Sequence, residues 1–312
     1  MPGTVFVTGG SGFVGSAVIH ALVERGYAVN ALARRPDTIT RGGNVREIRG
    51  DLFDRAALDE GMHDCIAVVH LVGIIMEKRS KGVSFERIHM HGTQSVVDAA
   101  VRNGVRRYVH MSALGTRSNA VSTYHRTKFK AEEYVRAQGL TNALHWTIIR
   151  PSLIHGPGGE FMKIEAAWAR RKSLPFFFMP YFGAGPLGRS GAGMLQPVFV
   201  DDVARAFVDA IEKPHTIGEV YPLGGPNRLT WPELHRTCAR HIVGKERAVI
   251  ALPAWYAKLI TRVVPGPLLP FNRDQVIMSQ EDNTCDVTKA ARAFGWEPQP
   301  FEPTLAKYAT QL

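Results

Sequence analysis

The chain has 312 residues, three cysteines and a formal net charge of +10, and 45% of its residues are hydrophobic. This length can bury one large or two modest cores, and the cysteines are too far apart to suggest a disulfide framework or a zinc site. No apolar run reaches the length of a membrane span. The first predicted strand begins so close to the first residue that we expect no targeting peptide. The basic residues stand in small groups, such as Arg106-Arg107, which indicates solvated surfaces rather than a nucleic-acid partner. We therefore expect a cytoplasmic protein of a reducing compartment, without a metal site.

The first elements surround a glycine-rich turn. Thr4–Thr8 predicts a buried strand, a helix follows from Gly12 to Arg25, and between them the glycines are spaced T-G-x-x-G-x-x-G. In this pattern the first glycine permits a tight turn, the second lets backbone N–H groups approach a pyrophosphate, and the third lets the helix pack closely on the strand. The start of the helix adds partial positive charge where the phosphates lie. The segment therefore predicts dinucleotide binding at Gly9, Gly12, Phe13, Val14 and Gly15.

Strands and helices alternate through the first half of the chain. The predicted strands are Thr4–Thr8, Ala28–Ala33, Val45–Gly50, Cys65–Leu71, Arg107–Ser112 and His145–Arg150. The predicted helices are Gly12–Arg25, Arg55–Met62, Ser84–Asn103 and Thr123–Ala137. Near-continuous apolar strands with crossover helices indicate a parallel sheet that is covered on both faces. The fold class is therefore α/β, a doubly wound Rossmann sheet over residues 1–150.

The pattern changes after Pro151, where we expect a smaller α+β substrate lobe over residues 151–312, partly interleaved with the first domain. A Pro/Gly-rich aromatic loop, Ser173–Gly193, is its most unusual segment. The predicted elements around it are helix Lys163–Lys172, strand Pro197–Val200, helix Asp201–Glu212 with an acidic N-cap pair, strand Glu219–Leu223, and helices Trp231–Val243 and Trp255–Val264.

Ligands of such sheets bind beyond the carboxyl ends of the strands. The second strand ends in Ala33-Arg34-Arg35, where an acidic residue would accept from the ribose of NAD. Two arginines instead suit the extra phosphate of NADP, so we favour NADP(H) over NAD(H); the alternative is a pair of solvated arginines. At the third strand end, Asp51 can accept from the adenine amino group while Leu52 packs on the ring, unless Asp51 serves as a helix N-cap.

The fourth strand ends in His70-Leu71-Val72-Gly73. Its small and apolar residues Leu71, Val72 and Gly73 are expected to line the adenosine and its linker, and His70 is interpreted as a sheet histidine. The H-x-H spacing of His89 and His91 lies in a helical pattern that puts them on different faces, so no metal site is expected there.

The fifth strand ends at Ser112, and twelve residues later Tyr124 and Lys128 share one helix face at i, i+4. A phenol has an ordinary pKa near 10, and a neighbouring ammonium together with an oxidised nicotinamide favours its phenolate. We predict Tyr124 as acid/base, Ser112 as the group that orients the substrate oxygen, and Lys128 as the cation that lowers the pKa of Tyr124 and binds the nicotinamide ribose. The alternative is a Tyr and a Lys on an exposed helix.

These motifs together resemble the short-chain dehydrogenase/reductase superfamily, in its extended or atypical epimerase/dehydratase-like branch. The resemblance is carried by T-G-G-S-G-F-V-G (8–15), G-D-L (50–52), H-L-V-G (70–73), the Ser112/Tyr124/Lys128 set and R-P-S-L-I-H-G-P-G (150–158), and it implies that Pro151, Tyr124 and Lys128 contact the cofactor. The stretch from Asn272 to Asn283 is similar to a subgroup that contains the NADPH-binding accessory subunit of respiratory complex I and its bacterial relatives. No carboxylate follows Ser112, which argues against dehydration, and His89 stands where many members carry asparagine.

Two functional hypotheses remain open. The first is an NADP(H)-dependent oxidoreductase acting on a hydroxyl or carbonyl of a small molecule; the second is a non-catalytic NADPH-binding accessory or redox-sensing subunit. The aromatic stretch of residues 170–182, with its three basic residues, is either core packing, a pocket wall, or a contact with a membrane surface or a protein complex. The substrate and the oligomeric state are left open by the sequence.

Overall fold

The computed structural model describes residues 2–39, 43–188, 193–264, 269 and 271–312. Two compact units divide the chain: the first comprises the residues up to Pro151 together with Val200–Leu223 and Thr288–Trp296, and the second comprises Ser152–Phe199, Gly224–Val287 and Glu297–Leu312. The second half of the chain therefore contributes two segments to the first unit. Within the described residues, no helix has the length and apolar character that crossing a membrane requires.

The strands lie in one large sheet and two small ones. They are β1 (Thr4–Thr8), β2 (Ala28–Ala33), β3 (Val45–Arg49), β4 (Cys65–His70), β5 (Arg107–Met111), β6 (His145–Pro151), β7 (Ile154–His155), β8 (Met179–Gly183), β9 (Val198–Phe199), β10 (Glu219–Leu223) and β11 (Val249–Pro253). The large sheet belongs to the first unit and has the order β10-β6-β5-β4-β1-β2-β3, with every pairing parallel. The doubly wound α/β prediction is confirmed, and the order reverses between β1 and β4, where such sheets bind ligands.

The α-helices are α1 (Phe13–Glu24), α2 (Arg55–Met62), α3 (Gly92–Arg102), α4 (Thr123–Thr141), α5 (Glu160–Ala169), α6 (Val200–Glu212), α7 (Trp231–Val243), α8 (Ala254–Val263), α9 (Arg273–Met278), α10 (Thr288–Phe294) and α11 (Phe301–Ala306). In the first unit, helices cover a core that centres on apolar strand residues such as Phe6, Val68 and Ile148. Burial on both faces explains why these strands are almost wholly apolar.

The second unit contains two small parallel sheets, β7 with β9 and β8 with β11. Helices α5 and α7 pack against each other, and Glu165 of α5 pairs with His235 of α7 at 2.9 Å, both buried. The predicted C-terminal signature has a structural role here. Asn272 caps α9 through a capping box with Gln275, and Asn283 Oδ1 accepts from Leu153 N at 2.9 Å.

Several predicted elements differ from the structure. Ser173–Gly193 is not a continuous loop, because Met179–Gly183 forms β8 by pairing with β11, a strand that the sequence did not indicate; residues 189–192 lie outside the described residues. The predicted helix Ser84–Asn103 is a π-helical segment, Glu86–His91, followed by α3. Helix Lys163–Lys172 instead spans Glu160–Ala169, and Asp201 and Asp202 lie in the first turn of α6 rather than before it.

Arg107 is not the solvated residue that its basic neighbourhood predicts. It is buried on β5, where its guanidinium donates to Thr147 Oγ1 at 2.6 Å and to Thr216 Oγ1 at 2.9 Å. It also donates to the carbonyl of Ala210. These bonds fasten the end of α6 to the sheet, and burial lowers the pKa of Arg107 to about 10.

Candidate cofactor and active site

The turn between β1 and α1 leaves the start of the helix open. Gly9 has φ +79°, a conformation that favours glycine, and Gly12 N donates to Gly9 O at 3.0 Å. A Cβ on Gly15 would lie 2.1 Å from Gly9 O and 2.7 Å from Gly10 Cα. Glycine is therefore required here because the start of α1 approaches the backbone of the turn closely, rather than the strand as predicted. Among the described residues, no side chain caps α1 and its first turn has no acidic residue. Phe13 and Val14 begin the helix, so their N–H groups suit a phosphate.

A cavity of about 460 Å³ lies beyond the ends of β2 and β3 and is lined by Arg34, Arg49, Gly50, Asp51 and Asp54. Ala33 pairs with Arg49, and Gly50 N donates to Ala33 O at 3.0 Å, which brings the two arginines to one place. Both arginines are exposed, and no hydrogen bond or ion pair engages their side chains within the described part of the chain. Arg35 is also exposed but does not line the cavity. Two unengaged guanidinium groups fit a phosphate ligand.

The alternative role considered for Asp51 belongs to another residue. The N-cap of α2 is Asp54, whose Oδ1 accepts from Ala57 N at 3.1 Å, whereas Asp51 Oδ1 accepts from Phe53 N at 2.7 Å. Leu52 is buried, and its Cδ1 would lie 2.7 Å from a Cβ on Gly92. Asp51 therefore does not cap the helix and lines the cavity.

The end of β4 passes directly beside the glycine turn. A Cβ on Gly9 would lie 3.3 Å from the backbone of Leu71 and Val72, and Leu71 N donates to Thr8 O at 3.2 Å. Gly73 comes next, and a Cβ there would lie 3.1 Å from Lys128 Nζ. The predicted residues of the β4 end thus connect the glycine turn to Lys128.

Lys128 is a buried cation at the end of the sheet, only 2% exposed. Its Nζ donates to Met111 O, at the end of β5, at 2.9 Å. Burial lowers the pKa of Lys128 to about 8, and the charge of Glu132 opposes this shift. A lysine with this pKa keeps most of its charge at neutral pH and can donate to a further ligand.

Tyr124 lies one turn before Lys128 on α4, which begins at the N-cap Ser122. Its ring meets the rings of Phe85 and His89 edge-on, with centroids 5.8 Å and 5.2 Å apart. Burial raises the pKa of Tyr124 to about 12, opposite to the lowering that we expected from Lys128. Without a bound cofactor the phenol is therefore protonated at neutral pH.

Ser112 is buried immediately after β5. Its backbone N–H donates to Ile149 O at 2.8 Å, and its Oγ lies 3.3 Å from Thr116 Oγ1. Two residues on, Leu114 N donates to the carbonyl of Pro151, which ends β6, at 2.9 Å. These bonds fix the segment that carries Ser112 against the neighbouring strand.

His89 is a site residue whose role sequence reasoning missed. It is buried in the π-helical segment, where Nδ1 lies 2.9 Å from Thr127 Oγ1 and Nε2 lies 3.1 Å from both N and O of Ile74. Whichever nitrogen carries the proton, both are paired. Burial and the charge of Lys128 hold the pKa of His89 well below its usual range, so the ring is neutral. It links the β4 loop to the face of α4 that carries Tyr124, and π-helical segments are frequent at functional sites.

Glu132 and Arg150 fasten α4 to the sheet beneath this site. Arg150 Nε and Nη2 donate to the two oxygens of Glu132 at 2.8 Å and 2.6 Å, and Glu132 is fully buried. Glu132 lies one turn after Lys128, so this bidentate pair fixes the position of the helix that carries both Tyr124 and Lys128.

The predicted residues therefore form two groups within the first unit. The first group contains the glycine turn and the ends of β2, β3 and β4. The second group contains the ends of β4 and β5 and one face of α4. Together they define a dinucleotide-binding protein of the Rossmann type. Its basic and glycine-rich surfaces suit a phosphate-bearing dinucleotide. No group of three or more His, Cys, Asp or Glu side chains that could hold a metal ion occurs in the described ranges.

The comparisons with known proteins give the family. The model of the NAD dependent epimerase/dehydratase family matches residues 5–224, and the chain belongs to this family, as the predicted extended short-chain dehydrogenase/reductase resemblance implied. A ceramide reductase of Caulobacter vibrioides is 30% identical over 256 residues, which cover 80% of this chain and 74% of the relative. NADH dehydrogenase (ubiquinone) 1 alpha subcomplex subunit 9 of Arabidopsis thaliana is 30% identical over 241 residues, which are 74% of this chain but 55% of the relative. The fold also matches the UDP-glucose 4-epimerase of Thermotoga maritima, with a TM-score of 0.76, 21% identity and coverage of 99% and 97% of the two chains.

Proposed function

We propose that this protein is an NADP(H)-dependent oxidoreductase that interconverts a carbonyl and a hydroxyl group, and that it works chiefly as a reductase. One observation carries the proposal: Lys128 and Tyr124 lie on one face of α4, and Lys128 donates to the carboxyl end of β5. The end of the sheet is where an α/β protein of this kind holds the reacting part of its ligand.

The chain's own residues supply proton transfer and orientation, and a bound NADPH would supply the hydride. Tyr124 donates its phenolic proton to the substrate oxygen, and burial favours this direction because it keeps the phenol protonated. Ser112 donates a hydrogen bond to the same oxygen. The Lys128 ammonium would hold the nicotinamide ribose of a bound cofactor and stabilises the phenolate that forms on Tyr124, while His89 acts as a positioning residue behind Tyr124.

The preference for NADP(H) rests on charge at the other end of the site. Arg34 and Arg49 line one cavity, both are exposed, and neither side chain has a hydrogen-bond or ion-pair partner in the described ranges. A ribose 2′-phosphate would bring two negative charges to these guanidinium groups, whereas NAD(H) offers only a hydroxyl.

We propose an apolar, lipid-like carbonyl compound as the substrate. The support is the name of the Caulobacter relative, a ceramide reductase that shares 30% of its aligned residues with this chain. The absence of a carboxylate after Ser112 agrees with reduction rather than dehydration.

The second candidate is a non-catalytic NADPH-binding subunit of a respiratory-type assembly. Similarity to alpha subcomplex subunit 9 favours it, although the chain spans only 55% of the length of the Arabidopsis protein. Both candidates use the same cofactor residues, so they differ only in whether the cofactor turns over.

Turnover of the purified protein separates the candidates. Co-purifying nucleotide would be identified by mass spectrometry, and NADPH oxidation would then be measured with a panel of ketones, aldehydes, quinones and sugars. We expect Tyr124→Phe to lower turnover by about 100- to 10,000-fold with the cofactor retained. Tyr134→Phe is a matched control on the same helix, since Tyr134 donates to Asp98 at 2.5 Å and is not part of the site. A tightly held cofactor that wild-type protein never oxidises would overturn the enzyme proposal and support the second candidate.

A further inference from the structure

Two stretches of the second unit contain no carboxylate. Residues 166–199 and residues 247–273 include no Asp or Glu, and each holds four Lys or Arg residues. They meet in space, because β8 of the first stretch pairs with β11 of the second. Farther along, Trp255 Nε1 donates to Pro186 O at 3.1 Å. The described parts of the two stretches therefore lie side by side, and neither stretch contributes a carboxylate there.

This surface also concentrates exposed apolar side chains. Among the described residues, fifteen large hydrophobic side chains are exposed, and nine of them lie in these two stretches. The nine are Leu174, Phe176, Phe177, Leu187, Ile250, Trp255, Tyr256, Leu259 and Val263. Scattered exposed hydrophobic residues are ordinary, but a concentration of this kind marks an interaction surface.

Helix α8 shows the arrangement most clearly. Trp255, Leu259 and Val263 are spaced four residues apart on one face and are 56%, 47% and 76% exposed. We call these three residues the apolar stripe. The opposite face is already packed, because Ala254 and Ala257 are buried with Val276 against Phe182 and Phe271. The stripe is therefore not needed for the core of this unit.

Basic residues flank the stripe. At 100° per residue, Lys258 and Arg262 lie one turn apart beside Trp255, on the side away from Leu259 and Val263. No acidic residue lies between Glu246 and Asp274. A helix with Trp and Leu on one face and Lys and Arg beside them has the composition of helices that lie in the membrane interface.

We propose that the apolar stripe of α8 docks on the surface of an anionic lipid bilayer. The stripe enters the boundary between headgroups and acyl chains, and Lys258 and Arg262 remain at the level of the lipid phosphates. An anionic bilayer fits because it offers a negatively charged surface for Lys258 and Arg262 and an apolar interior for the stripe, side by side at one boundary. The inference is independent of the proposed enzyme activity, and it places the centre of the predicted membrane contact at α8 rather than within residues 170–182.

Vesicle flotation of the full-length protein tests the proposal. We expect binding to phosphatidylcholine vesicles that contain phosphatidylglycerol, weaker binding to phosphatidylcholine alone, and loss of binding as salt is raised. Reversal of charge in Lys258→Glu/Arg262→Glu should weaken binding by at least roughly fivefold for each residue. Leu259→Ser/Val263→Ser should weaken it by roughly tenfold or more, because less apolar area enters the lipid.

Matched controls separate the surface from general effects. Leu140→Ser removes an apolar side chain that is 91% exposed elsewhere in the chain, and Lys81→Glu/Arg106→Glu makes the same change in net charge at exposed positions of the first unit. Both controls should bind vesicles as the wild type does. An unchanged far-UV circular dichroism spectrum and thermal unfolding midpoint verify that each variant is folded. Equal binding by the α8 variants and the controls would overturn the proposal, as would self-association through α8 without any vesicle binding.

Discussion

At the adenosine end of the proposed cofactor site, Arg34 and Arg49 are exposed and their side chains have no partner within the described residues. At the other end, Lys128 is buried and donates to Met111 O. Nearby, His89 and Thr127 are hydrogen-bonded to each other. The exposed end offers charge with little fixed geometry, so it suits recognition of a phosphate. The buried end offers fixed geometry and altered pKa values, which proton transfer requires. Under the proposed function, the exposed end selects the cofactor and the buried end carries out the proton transfer.

The largest expected effect concerns the scaffold of the buried end. Glu132→Gln removes the carboxylate that pairs with Arg150, and breaking a buried pair in this way costs about 3–5 kcal/mol of unfolding free energy. Chemical denaturation would measure it. Turnover should also fall, because α4 loses its ion pair with Arg150 of β6, while the ratio of NADPH to NADH affinity should stay constant. The control Glu60→Gln breaks an exposed pair with Arg46 and should cost at most about 1 kcal/mol. Similar costs for the two variants would contradict the proposed role of the buried pair.

The next effect belongs to the exposed end. Arg34→Ala and Arg49→Ala should each weaken NADPH binding by about 10- to 100-fold, because each removes a hydrogen bond to a charged phosphate. NADH binding should change little, and raised salt should reduce the effect, since both side chains face solvent. Arg35→Ala is the neighbouring control and should be almost neutral, because Arg35 does not line the cavity. Isothermal titration with both cofactors gives the answer, and equal losses for NADPH and NADH would reject the phosphate assignment.

The smallest effect is a pH dependence that has opposite signs for binding and for stability. The pKa of Lys128 is lowered from 10.5 to about 8, so the folded protein loses this charge as the pH rises through that value. NADPH affinity should therefore fall roughly three- to fivefold between pH 7 and pH 8.5. At Lys128 the unfolded chain binds more protons than the folded one between about pH 8 and 10.5, so the contribution of this residue to the unfolding free energy of the ligand-free protein should rise in that window.

Lys128→Met tests both signs of this pH dependence. The variant should flatten the binding profile, and the difference in unfolding free energy between wild type and variant should rise with pH across this window; a binding profile that stays steep in the variant would assign the titration to another group. The titratable groups that interact electrostatically with Lys128 include Glu132, which raises its pKa, and the buried histidines His70, His89 and His110, whose own pKa values are lowered below the ordinary histidine value by burial and by the charge of Lys128.

Much of the fold could be predicted because its signals are local. Several elements begin and end at the predicted residues, among them Thr4–Thr8, Ala28–Ala33, Arg55–Met62 and Trp231–Val243. Buried strands and capped helices can be predicted because their local composition differs from that of loops. The β8–β11 sheet could not be predicted in this way. β8 contains Pro and Gly, which are unusual in strands, β11 is a five-residue apolar run, and each is defined only by pairing with a partner far away in the chain.

The site shows the same division between local and distant signals. Tyr124 and Lys128 could be placed on one face because helical spacing is local. Arg49 was missed although the register of two parallel strands brings it beside Ala33, and a search of the position before Gly50 would have found it. The role of His89 depends on a π-helical segment and on contacts with Ile74 and Thr127, which no spacing rule indicates. The burial of Arg107 depends likewise on distant partners.

Transfer of deuterium from the cofactor to a product tests directly whether the protein is a reductase that uses Tyr124 and Lys128. Protein loaded with NADPH that is deuterated at the transferable position of the nicotinamide would be incubated with the carbonyl panel, and the products would be analysed by mass spectrometry. We expect a deuterated alcohol from at least one lipid-like ketone or aldehyde, formed by wild type and by Tyr134→Phe but not by Tyr124→Phe. Deuterium that stays on the bound cofactor with every compound would contradict the assignment of chemistry to Tyr124 and Lys128.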